Sequence, residues 1–232
     1  MPILAVDKIV GGWGQTTIVE KVSFVLEPGE VAAIIGRNGV GKTTMLELIV
    51  GRANLRSGRV LLNDRPIQDE PIFVRSRAGL GYVPQGREVF PSLTVTENIS
   101  AAARPGDWTN QRVFELFPSL RRRADSLGGQ LSGGEQQMLS IARALVGNPS
   151  VLLMDEPTEG LAPIVVEEVV EAIKRLTSAR TMAIVLVEQI LDVALELADR
   201  CFVMDRGRFV HEATADELAN NTEILHSLLG LE

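Results

Sequence analysis

The 232-residue chain is 45% hydrophobic and 23% charged, with 23 basic and 30 acidic side chains and a formal net charge of −7. This is the composition of a folded domain, and the acidic balance disfavours broad electrostatic binding to nucleic acid or anionic lipid. The single cysteine, Cys201, excludes an intrachain disulfide, and there is no Cys/His cluster of the kind that holds structural zinc. No apolar run approaches the roughly 18 residues of a membrane span, and Met1 to Asp7 lack the basic and apolar regions of a signal peptide. A cytosolic chain is expected, reaching any membrane through a partner.

In chain order, Ile3–Val10, Val22–Leu26 and Arg59–Leu62 read as strands, with Pro28-Gly29 and Ser57-Gly58 as turns between them. Val31–Ile35 is continuously apolar, as expected for a strand covered on both faces. A glycine-rich loop follows it, then a helical pattern over Thr43–Val50. From about Glu88 to Arg143 apolar residues recur with helical spacing (Val113, Leu116, Phe117, Leu120), broken by Pro91, Pro105-Gly106 and Gly128-Gly129. This predicts an inserted helical segment. Strand and helix patterns then alternate: Val151–Met154, Val165–Leu176, Met182–Val187, Leu191–Leu197 and Cys201–Met204, with a helical tail from Ala215 to Leu229. The alternation predicts a parallel sheet with helices on its faces.

Gly36-Arg37-Asn38-Gly39-Val40-Gly41-Lys42-Thr43-Thr44 fits G-x-x-x-x-G-K-[ST] and lies between the buried strand and the helix, the context that pattern requires. Glycines let the backbone close around phosphate with successive N–H groups turned inward, and the helix N-terminus adds a positive dipole end. Lys42 can reach β- and γ-phosphates, and the Thr43 hydroxyl can ligate Mg²⁺. The competing structural reading is a glycine-rich turn with an exposed lysine. Val151–Glu156 is an apolar strand ending in two carboxylates. Asp155 suits Mg²⁺, and Glu156 is placed to polarise an attacking water; a solvated acidic strand end is the plainer alternative. Leu131-Ser132-Gly133-Gly134-Glu135-Gln136-Gln137 opens a helix, with Ser132 as its cap and Glu135 as the capping-box partner. The same geometry offers a second anion-binding surface.

These three segments, in this order, resemble the nucleotide-binding subunit of an ATP-binding-cassette (ABC) transporter, and the resemblance covers essentially the whole chain. It implies an α/β P-loop NTPase fold. A parallel-sheet core, at about 1–87 and 144–232, would carry an N-terminal antiparallel β subdomain and a helical signature subdomain at 88–143. It also implies a head-to-tail dimer in which ATP lies between the phosphate loop of one subunit and Ser132–Gly134, with Glu135, of the other. Two integral-membrane permease subunits and, indirectly, a periplasmic or extracellular solute-binding protein would complete the assembly, with the chain peripheral on the cytoplasmic face of the membrane. Gln85 matches the family's lid glutamine, which contacts Mg²⁺. Trp13 falls where an aromatic stacks on adenine; the lesser alternative is an ordinary core residue of the N-terminal sheet.

Two positions depart from the family pattern. Gln189 stands where a histidine usually touches the γ-phosphate, and it can donate a neutral amide hydrogen bond but cannot relay a proton. Ala162 stands where an aspartate is common. Both departures, with Gly81–Pro91, resemble the ATPases of branched-chain amino-acid importers, whose pattern the urea and short-amide importers largely share. Gly160-Leu161-Ala162-Pro163 favours the amino-acid branch. A soluble cassette ATPase acting on DNA or ribosomes would carry long heptad coiled coils or a second cassette, and neither is present in this sequence. Cys201 reads as a buried small hydrophobe, Arg121-Arg122-Arg123 as a solvated helix face, and Trp108 as a turn residue without a function.

Overall fold

The structure, a computed structural model, describes residues 1–220. β1 (Leu4–Gly12) and β2 (Val19–Leu26) form a hairpin, followed by β3 (Val31–Ile35), α1 (Lys42–Val50), β4 (Asn54–Leu62), β5 (Arg65–Pro66), α2 (Ile72–Arg77) and β6 (Leu80–Val83). The chain then turns helical through α3 (Val95–Ser100), α4 (Asn110–Leu116), α5 (Pro118–Arg122), a 3-10 turn at Gly128–Gln130 and α6 (Gly133–Leu145). β7 (Val151–Asp155), α7 (Pro163–Ser178), β8 (Ala183–Glu188), α8 (Leu191–Leu197), β9 (Arg200–Asp205), β10 (Arg208–Thr214) and α9 (Ala215–Ala219) complete it. The expected tail helix is seen only as α9; its continuation to Leu229 lies outside the described residues.

The fold is α/β. One sheet is antiparallel, in the order β2-β1-β4-β5, and the other runs β10-β9-β3-β8-β7-β6. The second sheet is parallel from β9 to β6, with β10 antiparallel at one edge. β3, β7 and β8 are buried at every residue, which explains their unbroken apolar runs. α1 packs between the two sheets, with Met45, Leu46, Leu48 and Ile49 among the side chains of β1, β4, β7 and β8. The opposite face of the parallel sheet is covered by α6 and α7, through Leu139, Ile141, Leu145, Val169 and Ile173. α8 and α9 close the third cluster, which contains Cys201.

Several elements depart from the expected boundaries. Ser57-Gly58 is not a turn; it lies inside β4, where the register against β1 shifts between Asp7 and Val10. Gly58 has φ 93°, and a Cβ there would fall 2.5 Å from the Lys8 carbonyl oxygen, so the irregularity requires glycine. The polar first half of β4 is held by backbone pairing rather than by an apolar pattern. β5, α2 and β6 escape the sequence reading because they are short, and β10 because its seven residues only alternate between exposed and half-buried, with none fully buried. Arg121 and Arg122 are exposed, as expected of a solvated face, while Arg123 beside them is partly covered, 3.7 Å from Glu135 and donating to the Gln130 carbonyl.

One buried arginine fixes the far end of α1. Arg75, in α2, is only 5% exposed. Its guanidinium donates to the carbonyls of Leu48 (3.1 Å), Ile49 (2.7 Å), Gln68 (2.6 Å) and Glu70 (2.8 Å). Two of these are terminal carbonyls of α1, which have no partner within the helix. Replacing the guanidinium by an apolar chain strands four acceptors. Arg75→Met is therefore expected to lower stability by about 2–4 kcal/mol in urea unfolding, whereas Arg77→Met, at an exposed neighbouring position, should stay within ~0.5 kcal/mol.

Candidate functional site

The parallel register sets three loops side by side. Ile35 pairs with Glu188 and Asp155 pairs with Val187, so the loops after β3, β7 and β8 leave the sheet at one level, at its carboxyl edge. They border a cleft of about 410 Å³ lined by Trp13, Ile18, Asn38, Gly39, Gly41, Lys42, Thr43, Thr44, Gln85, Glu156, Glu159 and Gln189. Residues from five separate stretches of sequence meet there, at 13–18, 38–44, 85, 156–159 and 189.

The loop Gly36–Gly41 enters α1 through Gly41, which is left-handed at φ 109°. Among the described residues, no backbone N–H from Asn38 to Thr44 finds an acceptor within the chain. Those N–H groups, at a helix N-terminus, form a concave donor surface for an anion. The Lys42 side chain is 3% exposed. Its ammonium donates to the carbonyls of Gly36 (2.8 Å) and Arg37 (3.2 Å) and lies 3.4 Å from Glu156 Oε1. Arg37, Asn38 and Gly39 are exposed at the loop tip.

Asp155 ends β7 and is fully buried. It accepts from Thr43 Oγ1 (3.2 Å) and, on its other oxygen, from the Tyr82 hydroxyl (3.4 Å). Burial, reinforced by the Glu156 charge and opposed by the Thr43 hydrogen bond, pushes the Asp155 carboxyl up to about 6. Glu156 is left-handed at φ 48°, which turns the chain sharply out of β7. Its Oε2 accepts from Gln85 Nε2 at 3.3 Å and from Gln189 Nε2. Gln85 also donates to Glu159 at 2.5 Å. Glu188, 1% exposed, accepts from Thr158 N (3.2 Å), Thr158 Oγ1 (2.8 Å) and Gln189 N (3.1 Å), tying the Glu156 loop to the Gln189 loop. Burial holds the Glu188 carboxyl above the ordinary range.

The structure thus brings Trp13, the phosphate loop, Gln85, Asp155, Glu156 and Gln189 together. Trp13 is 45% exposed on the cleft wall rather than packed in a core. Ser132, Gly133, Gly134 and Glu135 do not line this cleft. They cap α6, where Ser132 Oγ accepts from Glu135 N (3.3 Å) and the Glu135 carboxylate accepts from Ser132 N (2.8 Å). The sequence does not single out Tyr82, Thr158, Glu159 or Glu188; Tyr82 lies within Gly81–Pro91, but nothing local in any of the four signals its partner.

The oxygens gathered at Thr43, Asp155 and Gln85 are all hard donors, and the buried Asp155 carboxylate has no cationic partner among the described residues. That set fits Mg²⁺.

Residues 19–159 match the family described as ABC transporter, and the chain belongs to that family. It is a nucleotide-binding subunit whose ATP hydrolysis is coupled to transport. The chain is 37% identical to the high-affinity branched-chain amino acid transport ATP-binding protein BraG of Pseudomonas aeruginosa, over 98% of this chain and all of the relative. It is 35% identical to the probable branched-chain amino acid transport ATP-binding protein LivF of Archaeoglobus fulgidus, over 99% of each. It superposes on a nucleotide-free ATP-binding cassette from an ABC transporter with a TM-score of 0.83, 26% identity and coverage of 98% and 97%.

The buried carboxylate has a consequence for stability. An unfolded aspartate titrates near 3.9, below the value of about 6 in the fold. Folding therefore favours the neutral form. The destabilisation from the ionised form is complete above about pH 6, fades between about 6 and 4 and is absent below. Asp155→Asn is expected to stabilise the metal-free protein by about 1–3 kcal/mol in urea unfolding at pH 7.5 with EDTA, and by much less at pH 4.5.

Proposed function

We propose that this chain is the motor subunit of an importer for branched-chain amino acids. It would sit on the cytoplasmic face of the membrane, against two permease subunits fed by a solute-binding protein. The cargo reading is supported by the identities to BraG and LivF over essentially the full chain, and by Gly160-Leu161-Ala162-Pro163. No helix among the described residues is long and apolar enough to cross a membrane, consistent with attachment through partners.

The observation that carries the catalytic reading is the convergence of Lys42, Thr43, Glu156 and Gln189 on one cleft, with the buried Asp155 hydrogen-bonded to Thr43 behind its wall. In this reading the N–H groups from Gly36 through Arg37, Asn38, Gly39, Val40 and Gly41 to Thr44 take the β- and γ-phosphates, and Trp13 stacks on adenine. Thr43, Asp155 and Gln85 would hold Mg²⁺, which would supply neutralisation of the phosphate charge. The Lys42 ammonium has three donors, two of them held by carbonyls of its own loop. A γ-phosphate competes only with Glu156 for the third. Its arrival frees the Glu156 carboxylate to accept the proton of an attacking water. The water oxygen bonds to the γ-phosphorus as the bond to the ADP oxygen breaks. Gln189 orients Glu156 and the γ-phosphate by hydrogen bonding alone. Because Ser132, Gly133, Gly134 and Glu135 lie outside this cleft, they would complete the site of a second cassette.

Glu156→Gln should retain MgATP binding while turnover falls by roughly 10²–10⁴-fold, the scale of general base catalysis; phosphate release and equilibrium nucleotide binding read the two quantities. Wild-type turnover would place the base elsewhere. For the composite site, Lys42→Ala and Ser132→Arg are each expected to be inactive, and mixing them should restore ATPase activity through the one intact site of the mixed dimer. Inactivity in mixtures shown to contain mixed dimers would refute the arrangement.

A further inference from the structure

We propose that Glu159 is a positioning residue for Gln85, anchoring its amide so that the carbonyl oxygen Oε1 is the atom presented to Mg²⁺. The inference rests on the reading of Gln85 as a Mg²⁺ contact. A glutamine side chain carries two N–H donors and one carbonyl acceptor, and its partners decide which end faces which way. Gln85 Nε2 lies 2.5 Å from Glu159 Oε2 and 3.3 Å from Glu156 Oε2. Both partners are carboxylates, which only accept when ionised. The two donors are therefore both engaged, and no described residue donates to Oε1. Turning the amide over would set its oxygen against two anionic oxygens.

The backbone explains why Glu159 is within reach. Glu156 is left-handed, and Glu159 N donates to the Glu156 carbonyl at 3.1 Å. This tight turn returns the Glu159 side chain to the cleft wall. Gln85 itself is exposed on an irregular segment after β6, where an unanchored glutamine would sample many rotamers. Glu159 removes that freedom from a side chain otherwise held only by the longer contact to Glu156.

The test follows binding of a fluorescent ATP analogue by anisotropy, over a Mg²⁺ titration and separately in EDTA. The proteins are the parent, Glu159→Ala, Glu159→Gln, Gln85→Ala and the double variant Gln85→Ala/Glu159→Ala. Glu159 is exposed, so these changes leave the core intact, and thermal melting verifies this. Glu159→Ala and Gln85→Ala should each raise the half-saturating Mg²⁺ concentration by about five- to tenfold, the scale of one ordinary, solvent-exposed hydrogen bond. Glu159→Gln keeps an acceptor oxygen and should shift it by less than about twofold. The double variant should be no worse than Gln85→Ala, and affinities in EDTA should agree within about twofold. A parental Mg²⁺ midpoint in Glu159→Ala, with Gln85→Ala shifted, overturns the proposal. So does a Glu159→Gln midpoint as high as that of Glu159→Ala, which would mean that Glu159 acts by its charge on the cation. A parental midpoint in Gln85→Ala overturns the cation reading of Gln85, and this inference with it.

Discussion

The parallel pairing of β3, β8 and β7 is the constraint from which the site follows. A strand register is a discrete quantity, and a slip by one residue turns every side chain to the other face. In the observed register Asp155 stands opposite Val187, and Ile35 opposite Glu188. The phosphate loop, the Glu156 loop and the Gln189 loop therefore start within one residue of each other along the strands. Apolar residues with no chemical role enforce this. Ala32, Ile34, Leu153, Val185 and Val187 pack on the α1 side, and Leu152, Met154, Ile184 and Leu186 on the other. The fully buried core thus sets the level of the polar residues above it.

Burial then gives those polar residues their character. Lys42, Asp155, Glu156 and Glu188 are all at most 6% exposed, in a region where unpaired charge is costly. Each has a partner, but the partnerships differ in kind. Glu188 is satisfied by donors on its own and neighbouring loops and has nothing left to offer a ligand. Lys42 is shared between loop carbonyls and a carboxylate on another element, an arrangement that a phosphate can re-sort. Asp155 has only two neutral hydroxyl donors, and its raised pKa records the shortfall. Preorganisation here means that some groups are finished and others are left wanting a specific counter-charge.

How much of this could be read from the sequence depended on how local each interaction is. The phosphate loop and the Ser132 cap are contiguous segments whose geometry follows from glycine, the following helix and a three-residue capping spacing, and both were legible. The carboxylate pair was legible because it ends an apolar run. The Tyr82–Asp155 and Gln85–Glu159 hydrogen bonds span 73 and 74 residues, and no periodicity signals such pairs. Among the elements, long apolar strands and amphipathic helices were predictable. The first half of β4 was not, because its polar residues are strand only by virtue of β1 beside them, and Ser57-Gly58 has the composition of a turn. Arg75 sits in a short basic stretch that looks solvated until the ends of α1 are placed next to it.

The Glu188–Thr158 tie makes two loops into one mechanical object. Thr158 follows Glu156 by two residues, and Gln189 adjoins Glu188, so the carboxylate that faces the cleft and the amide that bonds it are fastened to the same buried anchor. Neither can swing without dragging the other or exposing an anion that the core has sealed off. A displacement arriving from either side, at α7 or at α8, is passed through this buried tie to both groups.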